Sequence, residues 1–310
     1  MKHNCEAPVL LIAFNRPDTT LEVMKVLEVV KPLKLYVAID GPRTNRPEEV
    51  ELTNEVAQIT KQINWDCEVK YLIREKNVGC KLGVSGAITW VFESEDRAII
   101  IEDDIIAAPT FFSFAENLLE RYKTDERVAM ISANNYTPLN NLDGDYLFSQ
   151  YGHIWGWATW KRVWDQFDVE VPEIHKAVKS NLNQMWFTSS SEKKYLKRYF
   201  TKLATSLKNK AINTWDIQFV FFRFQNNLLS IVPRVNLASN IGENSSREDN
   251  NDSKPMEHYY ASDKDFTLKN HPEKVEWNKE YDAYHFNNHI DKLSFLEKAK
   301  YKLKKKLNIK

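Results

Sequence analysis

The stretch that decides the fold is Arg97-Ala98-Ile99-Ile100-Ile101-Glu102-Asp103-Asp104, in which three isoleucines run directly into three carboxylates. A short β-branched run of this kind is typical of a buried, parallel strand. Three adjacent acids would repel one another inside a core, so the strand must end at or near Glu102. The sequence therefore predicts a strand whose carboxyl end carries an acidic cluster.

This acidic cluster predicts a metal or phosphate site. In open α/β sheets, ligands bind at the carboxyl ends of the strands. Clustered carboxylates there suit a hard divalent cation, which takes oxygen ligands and shares them with substrate phosphates. The alternative is an acidic helix cap, because Pro109 and the apolar run 111–119 follow closely. A cap needs one acid rather than three, which favours the metal site.

The first hundred residues alternate between strand and helix patterns. Strands are predicted at 8–14, 35–39, 67–73 and 97–101, and helices at 17–30, 48–63 and 82–92. This order predicts an α/β fold with a doubly wound, mostly parallel sheet flanked by helices. Such a sheet collects Arg16, Asp40 and the acids 102–104 at one edge, because parallel strands end on the same side.

The second half is predicted to form the acceptor side of a site. A helix at 111–122 and a strand at 128–132 precede the polar stretch 133–145, which marks the change between halves. The predicted regions are a donor half at 1–135, an acceptor and catalytic-base half at 136–240, a lid loop with an irregular extension at 241–290, and a basic helix at 291–310.

Tryptophans are concentrated in this second half. Residues 151–160 hold three tryptophans and two glycines, and Trp215 precedes the apolar helix 217–224. Trp155, Trp157 and Trp215 could stack on a sugar or fill the core, and both interpretations stay open. Asp216 has two possible roles as well, as a helix N-terminal acid or as a general base.

Composition excludes several functions. The net charge of the 310 residues is zero, so nucleic-acid binding is not suggested. Three scattered cysteines favour a reduced, cytoplasmic setting. Eight glycines leave no Walker or GxGxxG loop, which argues against a kinase or a dehydrogenase. The histidines occupy mostly surface-type positions, and no stretch reaches the ~18 apolar residues that span a bilayer.

Two segments near the C-terminus keep alternative interpretations. Residues 244–254 contain no apolar residue and form either an idle loop or a lid. Residues 291–310 contain eight lysines against one aspartate and one glutamate, a net charge of 8 − 2 = +6. This basic amphipathic segment is either a solvated tail or a helix that lies on an anionic membrane, which would make the protein peripheral at the inner face.

Several motifs together resemble a known family. These are Leu-Leu-Ile-Ala-Phe-Asn-Arg at 10–16, Val-Ala-Ile-Asp-Gly at 37–41, Ile-Ile-Ile-Glu-Asp-Asp at 99–104, Ala-Pro-Thr-Phe-Phe at 108–112 and Thr-Trp-Asp at 214–216. Over about residues 7–240 the chain resembles nucleotide-sugar glycosyltransferases of the GT-A fold. The pattern is that of the N-acetylglucosaminyltransferase I type and its bacterial relatives, and more distantly of family 2.

The resemblance implies a role for each matched residue. Arg16 and Asp40 would bind the nucleotide, with Asp40 accepting from the uracil imide N–H. Glu102 and Asp103 would hold the donor sugar and ribose, and Asp104 would ligate Mn²⁺ or Mg²⁺ on the diphosphate. Asp216 would deprotonate the acceptor hydroxyl. Residues 75–83 depart from the family pattern, and Arg74 and Lys81 are the candidates for donor contacts there.

These roles make chemical sense for glycosyl transfer. The diphosphate leaving group needs its charge neutralised, and the acceptor hydroxyl needs a base within hydrogen-bond reach. A base on the face opposite the leaving group gives inversion. The expected activity is transfer of a sugar, first GlcNAc, from a UDP-sugar to a surface glycan or lipid-linked precursor. The alternatives are a sugar nucleotidyltransferase and a non-catalytic glycan- or nucleotide-binding protein.

Overall fold

A computed structural model describes residues 5–137, 142–180, 182–242 and 265–291. Within these residues the strands, numbered β1 to β10, are Val9–Ala13, Lys34–Ile39, Glu68–Ile73, Arg97–Glu102, Ile105–Ala107, Val128–Ser132, Tyr146–Ser149, Trp157–Trp160, Leu229–Pro233 and Ala238–Asn240. The helices, α1 to α9, are Pro17–Val30, Glu49–Thr60, Gly79–Phe92, Pro109–Arg121, Lys161–Trp164, Ile174–Ser180, Ser190–Lys208, Asp216–Gln225 and Lys279–His285. A π-helical turn, Phe286–Ile290, continues α9.

The eight-stranded sheet has the order β3-β2-β1-β4-β8-β6-β9-β7. Strands β3, β2, β1 and β4 are parallel, and β6 is parallel to β9. Strand β8 is antiparallel to both of its neighbours, and β7 is antiparallel to β9. Strands β5 and β10 form a separate antiparallel pair. The predicted α/β class with a large, mostly parallel sheet flanked by helices is confirmed.

Strand β4 occupies the position that its sequence predicts. Its residues from Ala98 to Ile101 are buried at 1% exposure or less, in the middle of the sheet. Pairing with β1 places Leu11 opposite Ile101 and Ile12 opposite Glu102. The strand ends at Glu102, so the acids emerge at the carboxyl end of β4 beside the carboxyl end of β1.

The tryptophan-rich segment forms an unpredicted strand. Residues Trp157–Trp160 are β8, which inserts between β4 and β6. Trp157 pairs with Ile100 of β4 and with Ser132 of β6. The segment lacks the alternation that marks a half-buried strand, because both faces of β8 are buried. The predicted donor and acceptor halves therefore share one sheet.

A second apolar cluster lies between α6, α7 and α8. Its buried members include Leu196 and Phe200 of α7 and Phe221 and Phe224 of α8. Phe286 and Tyr151 complete it from neighbouring segments. This cluster orients α7 so that one face packs inward and the opposite face meets solvent.

Two predictions concern segments outside the described residues. These are the lid loop at 244–254 and the basic helix at 291–310, of which only Asp291 is described. Across the described ranges, the helices are all too short or too polar to cross a membrane.

Candidate functional site

A cleft of about 340 Å³ opens at the carboxyl ends of β1, β2 and β4. Four of the predicted site residues line it: Arg16, Asp40, Glu102 and Asp103. Its other polar lining residues are Asn15, Arg43, Arg74, Asn77, Cys80 and Asn213. Asp104 follows the lining acids directly and is also buried, at 6% exposure. The structure thus gathers the charged residues that follow three different strands.

Arg16 bridges the two aspartates that follow β4. One guanidinium nitrogen donates to Asp104 Oδ2 at 2.7 Å, and the other donates to Asp103 Oδ1. Burial opposes the charged guanidinium, but the two carboxylates outweigh this effect and raise the pKa of Arg16. Arg16 immediately precedes α1, whose first residue is Pro17, so the proline fixes the chain at the point where Arg16 turns toward the acids.

Asp103 is the most deeply buried of the three acids, at 1% exposure. Its second oxygen accepts the backbone N–H of Phe14 at 3.0 Å. Burial raises the pKa of Asp103 to about 6, against the opposite effect of Arg16. Asp103 therefore ties β4 to the end of β1, and its charge depends on Arg16.

The segment after β10 closes over Asp104. Ile241 donates its backbone N–H to the backbone carbonyl of Asp104 at 2.9 Å. A side chain at Gly242 would collide with Asp104 Oδ2 and would approach Arg16 Nη1 to 3.0 Å. Only glycine lets the backbone come this close. Residues 241–242 therefore form one wall around the Arg16–Asp104 pair.

Asp40 orders the start of α3. Its oxygens accept from Asn77 Nδ2 at 2.9 Å and from the backbone N–H groups of Val78 and Gly79 at 3.1–3.2 Å. Gly79 has a φ of +80°, which favours glycine at this position. Burial raises the pKa of Asp40. The predicted contact to a uracil imide would have to displace one of these donors.

Two arginines that line the cleft follow neighbouring strands. Arg43 follows β2 and binds the carboxylate of Glu49, which is 2% exposed. Arg74 directly follows β3, and its charge acts to lower the pKa of Asp40. The position of Arg43 after Asp40-Gly41-Pro42 was readable from the sequence as a turn beside the site. No local sequence pattern links Asn213 to the cleft, because it lies far along the chain from the strands whose ends form the cleft.

Lys81 and Asp216 do not line the cleft. Lys81 Nζ binds the carboxylate of Glu170, and its side chain is 14% exposed. Asp216 is the first residue of α8, and the hydroxyl of Thr214 donates to it. It lies three residues after Asn213, whose Oδ1 accepts the backbone N–H of Lys81 at 3.2 Å. The chain around Asp216 therefore reaches the cleft through Asn213.

The tryptophans divide between the core and the surface of the fold. Trp157 and Trp215 are 0% and 2% exposed and stack on each other, with ring centroids 5.5 Å apart. Both belong to the main core, which corrects their predicted acceptor-side role, because a stacked and buried ring offers no face to a sugar. Trp155 is half-buried, and its ring lies 6.1 Å from that of Tyr136. It alone keeps the predicted role.

The histidines are a second correction. His285 is fully buried and His153 is half-buried with its Nε2 atom enclosed, and their ring centroids lie 5.1 Å apart. Burial lowers the pKa of His153 to about 3 and that of His285 to about 2. The Nε2 atoms of both meet no hydrogen-bond partner within the described ranges. The sequence did not indicate the burial of His285, because the residues of α9 are mostly polar and predict an exposed helix, whereas α9 packs inward.

The donor set fits a divalent cation only in part. The described ranges contain no group of three histidines, cysteines or acids that could hold a metal ion. Magnesium and manganese, however, are often held by one or two carboxylates together with substrate phosphates. Asp104, beside Glu102, offers such oxygens, although one of them accepts from Arg16. The residues present therefore fit a cation that is shared with a bound diphosphate.

Comparisons with known proteins give weak structural likeness only. No protein-family description and no curated protein matches the chain. Mouse xyloside xylosyltransferase 1, in its apo form, aligns with a TM-score of 0.38 and 9% identity over 73% of this chain and 84% of its own. HddC from Yersinia pseudotuberculosis aligns with a TM-score of 0.34 and 13% identity over 52% of this chain and 80% of its own. A UDP-glucose pyrophosphorylase bound to UDP-glucose aligns with a TM-score of 0.25 and 10% identity over 46% and 62%. Likeness at this level leaves function to be inferred from the chain's own residues.

Proposed function

We propose that this chain is a metal-dependent, inverting glycosyltransferase of the GT-A type that uses a UDP-sugar as donor. The observation that carries the proposal is the cleft at the carboxyl ends of β1, β2 and β4, which Arg16, Glu102 and Asp103 line and which Asp104 directly follows along the chain. Ligands of open α/β sheets bind at this edge. GlcNAc is the first candidate sugar, and the acceptor is a hydroxyl of a surface glycan or a lipid-linked precursor.

The charges of the cleft suit a nucleoside diphosphate. Arg16, Arg43 and Arg74 line it and can neutralise phosphate oxygens, for which the guanidinium group is well shaped. Asp104 would hold Mn²⁺ or Mg²⁺, which as a Lewis acid would supply charge neutralisation on the leaving group, and Glu102 and Asp103 would hold the donor sugar and ribose. Arg16 would then exchange part of its contact with the acids for contact with phosphate.

Asp216 is the proposed general base for the acceptor hydroxyl. It begins α8 three residues after Asn213, which lines the cleft. Trp155 is the proposed acceptor-side ring. Replacing Asp216 by asparagine is expected to lower transfer by about 10²–10⁴-fold, the usual contribution of a general base, without changing UDP affinity. An equal loss of UDP binding would assign Asp216 a structural role instead.

Donor binding can be tested without knowing the acceptor. Cys80 is exposed and lines the cleft, whereas Cys67 is half-buried and lies outside it. UDP with Mn²⁺ is expected to slow alkylation of Cys80 while leaving that of Cys67 unchanged, as read by mass spectrometry. A parallel thermal-shift panel of UDP-, GDP- and dTDP-sugars, with and without Mn²⁺, identifies the base. Equal protection by all three would refute UDP specificity.

The metal is tested by a matched pair of variants. Replacing Asp104 by asparagine is expected to weaken Mn²⁺-dependent UDP binding by more than about tenfold, or ~1.4 kcal/mol. Asp66, an exposed aspartate just before β3, gives the control Asp66→Asn with the same change of charge. UDP binding that is the same with Mn²⁺ and with a chelator would reject the metal.

The proposed transferase and its two alternatives are distinguished by the products that they release. A nucleotidyltransferase would release pyrophosphate from UTP and a sugar 1-phosphate, whereas a transferase releases UDP from a UDP-sugar. The loop between β1 and α1 is Phe14-Asn15-Arg16 and contains no glycine, which favours the transferase over a nucleotidyltransferase with a Gly-rich loop. Mn²⁺-dependent release of UDP that is lost in Asp104→Asn would exclude a pure binding protein.

A further inference from the structure

Helix α7 carries a row of exposed cations on one face. Lys194, Lys197, Arg198, Lys202 and Lys208 are all exposed and together define what is here named the α7 cation face. At 1.5 Å per residue, this row extends over about 21 Å. The buried residues of α7, among them Leu196, Phe200 and Leu203, lie on the opposite side. The face is therefore fixed by packing and points away from the core.

No acid on α7 balances this charge. Its one carboxylate, Glu192, is 1% exposed and accepts hydrogen bonds from Tyr151 and Thr188. No carboxylate within the described ranges pairs with any cation of the α7 cation face. Cations that the fold leaves without acids on a protein of zero net charge indicate a surface that meets an anionic partner.

A groove beside the face combines apolar and cationic groups. It lies between α6 and α7, encloses about 440 Å³ and contains the aliphatic side chains of Ile174, Ala204 and Leu207. Lys179, Lys208 and His175 line the same groove, together with one acid, Glu170, whose carboxylate binds Lys81. Aliphatic carbon next to cations matches the glycerol region and the phosphate of a lipid, whereas a nucleic-acid groove presents aromatic faces for base stacking.

An exposed aromatic residue lies on α7 itself. Tyr199 directly follows Arg198 of the α7 cation face and is 37% exposed. Tyrosine is enriched at the boundary between headgroups and water. Its presence beside lysine and arginine favours a bilayer over a soluble polyanion.

We propose that the α7 cation face and its groove dock on a bilayer surface that carries anionic headgroups. This surface is separate from residues 291–310, and the binding does not depend on the donor being a nucleotide sugar. It also has a consequence for the proposed reaction. Helix α8, which Asp216 begins, packs against α7, so a lipid-linked acceptor held at the docking face would be presented from the side of the proposed base.

The test is sedimentation of the full chain with vesicles of phosphatidylcholine alone or with 30 mol% phosphatidylglycerol, at about physiological ionic strength and again at about 1 M. The variant Lys194→Gln, Lys197→Gln, Arg198→Gln removes three charges of the face while keeping good helix formers. Each cation near an anionic surface contributes about 1 kcal/mol. Binding to the anionic vesicles is therefore expected to fall by about 100-fold.

Two controls carry the same change of charge. Lys25→Gln, Lys61→Gln, Lys123→Gln alters other exposed lysines, and Lys304→Gln, Lys305→Gln, Lys306→Gln alters the tail. Far-UV circular dichroism and the melting temperature check that each variant folds. The first control is expected to bind anionic vesicles as tightly as the wild type does. The tail variant is expected to keep the contribution of the α7 cation face, which the α7 variant loses.

Three results would each overturn the proposal. The first is equal binding of the wild type to neutral and anionic vesicles. The second is an equal loss of vesicle binding in the α7 variant and in the control that contains Lys25→Gln. The third is a loss of vesicle binding in the tail variant alone. Capture by polyphosphate or single-stranded DNA without vesicle binding would assign the face to a soluble polyanion. UDP binding, measured in the same variants, stays unchanged, so failure here is distinguishable from failure of the proposed function.

Discussion

The ends of β1 and β4 and the end of β6 are built in opposite ways. Around the ends of β1 and β4, buried charges are matched, with Arg16 holding Asp103 and Asp104. Around the end of β6, polar groups are incompletely satisfied, and the nearby buried Arg223 donates to Ser230 and to backbone carbonyls. Ser132 binds the backbone of His153, but the Nε2 atoms of His153 and His285 meet no partner in the described part of the chain.

The ends of β1 and β4 are thus the region where the fold keeps buried charges at some cost in stability. A buried ion pair is costly to desolvate and is rarely the best choice for stability alone. Its retention beside a cleft fits a place where charge is needed. The histidine region instead depends on remaining uncharged, so acid should affect it first. Four predictions, in order of decreasing effect, test these assignments.

The largest effect is expected at Trp157. Replacing it by alanine removes a fully buried ring that stacks on Trp215, which costs about 3–5 kcal/mol of unfolding free energy. Trp155→Ala, two residues away and half-buried, is expected to cost less than half as much. Chemical denaturation measures both. Equal costs would contradict the assignment of Trp157 to the core and of Trp155 to its half-buried edge.

Removing Arg16 is expected to cost about 2–3 kcal/mol, because Asp103 would keep a buried charge without its cation. The destabilisation is smaller than for a fully buried pair, because the Arg16 side chain is 22% exposed and solvent screens part of the interaction. The pKa of Asp103 is already raised to about 6, so the cost of Arg16→Ala should be larger at pH 8 than at pH 5, where Asp103 takes up a proton.

The matched control for this cluster is the triple variant Arg16→Leu, Asp103→Asn, Asp104→Asn. It removes the cation and both carboxylates that Arg16 bridges, and it is expected to recover most of the lost stability. A triple variant as unstable as Arg16→Ala at pH 8 would show that packing, rather than charge, holds this part of the cleft together.

Acid is expected to destabilise the histidine region. The pKa of His153 is lowered to about 3, so below its unfolded value of 6.5 the unfolded state binds a proton that the folded state refuses. The contribution of the neutral His153 to the unfolding free energy is fully present above pH 6.5 and is lost as the pH falls toward 3. Asp103 and Asp282, with pKa values raised to about 6 and about 7, act in the opposite direction, so the wild-type profile is flattened.

A variant isolates the histidine contribution. In His153→Asn, the loss of stability between pH 8 and pH 5 is expected to be smaller than in the wild type by about 1–2 kcal/mol. Urea unfolding at both pH values measures this difference. His175, which is not in the buried group, gives the control His175→Asn. A parallel pH dependence in all three proteins would show that His153 is accessible to protons in the folded state.

The smallest effect is expected at Lys81. Its partner Glu170 is 62% exposed, so Lys81→Ala should change the unfolding free energy by less than about 1 kcal/mol. UDP affinity should also stay the same, because Lys81 does not line the cleft. A tenfold loss of UDP affinity, measured by calorimetry, would return Lys81 to the donor site as the sequence predicted.

Local pattern was sufficient to place the charged residues that follow β1, β2 and β4 at one edge of the sheet and insufficient for the rest of the cleft. The strands at the start of the chain end in polar residues, and parallel pairing brings such ends together whatever their loops contain. Arg16, Asp40 and the acids 102–104 could therefore be placed from sequence. Strand β8 could not, since an antiparallel strand buried on both faces leaves no alternation. Asn213 and His285 reach their sites only through distant packing.

The α/β order and the end of β4 at its acids follow from the sequence alone, because they depend on local periodicity and on the repulsion of adjacent charges. Only the tertiary structure decided that Arg16 pairs with both aspartates, that Asp40 orders α3, and that Trp157 and Trp215 stack in the core. These contacts join residues 38 to 88 positions apart, and burial and partner choice at such separations depend on the whole packed chain.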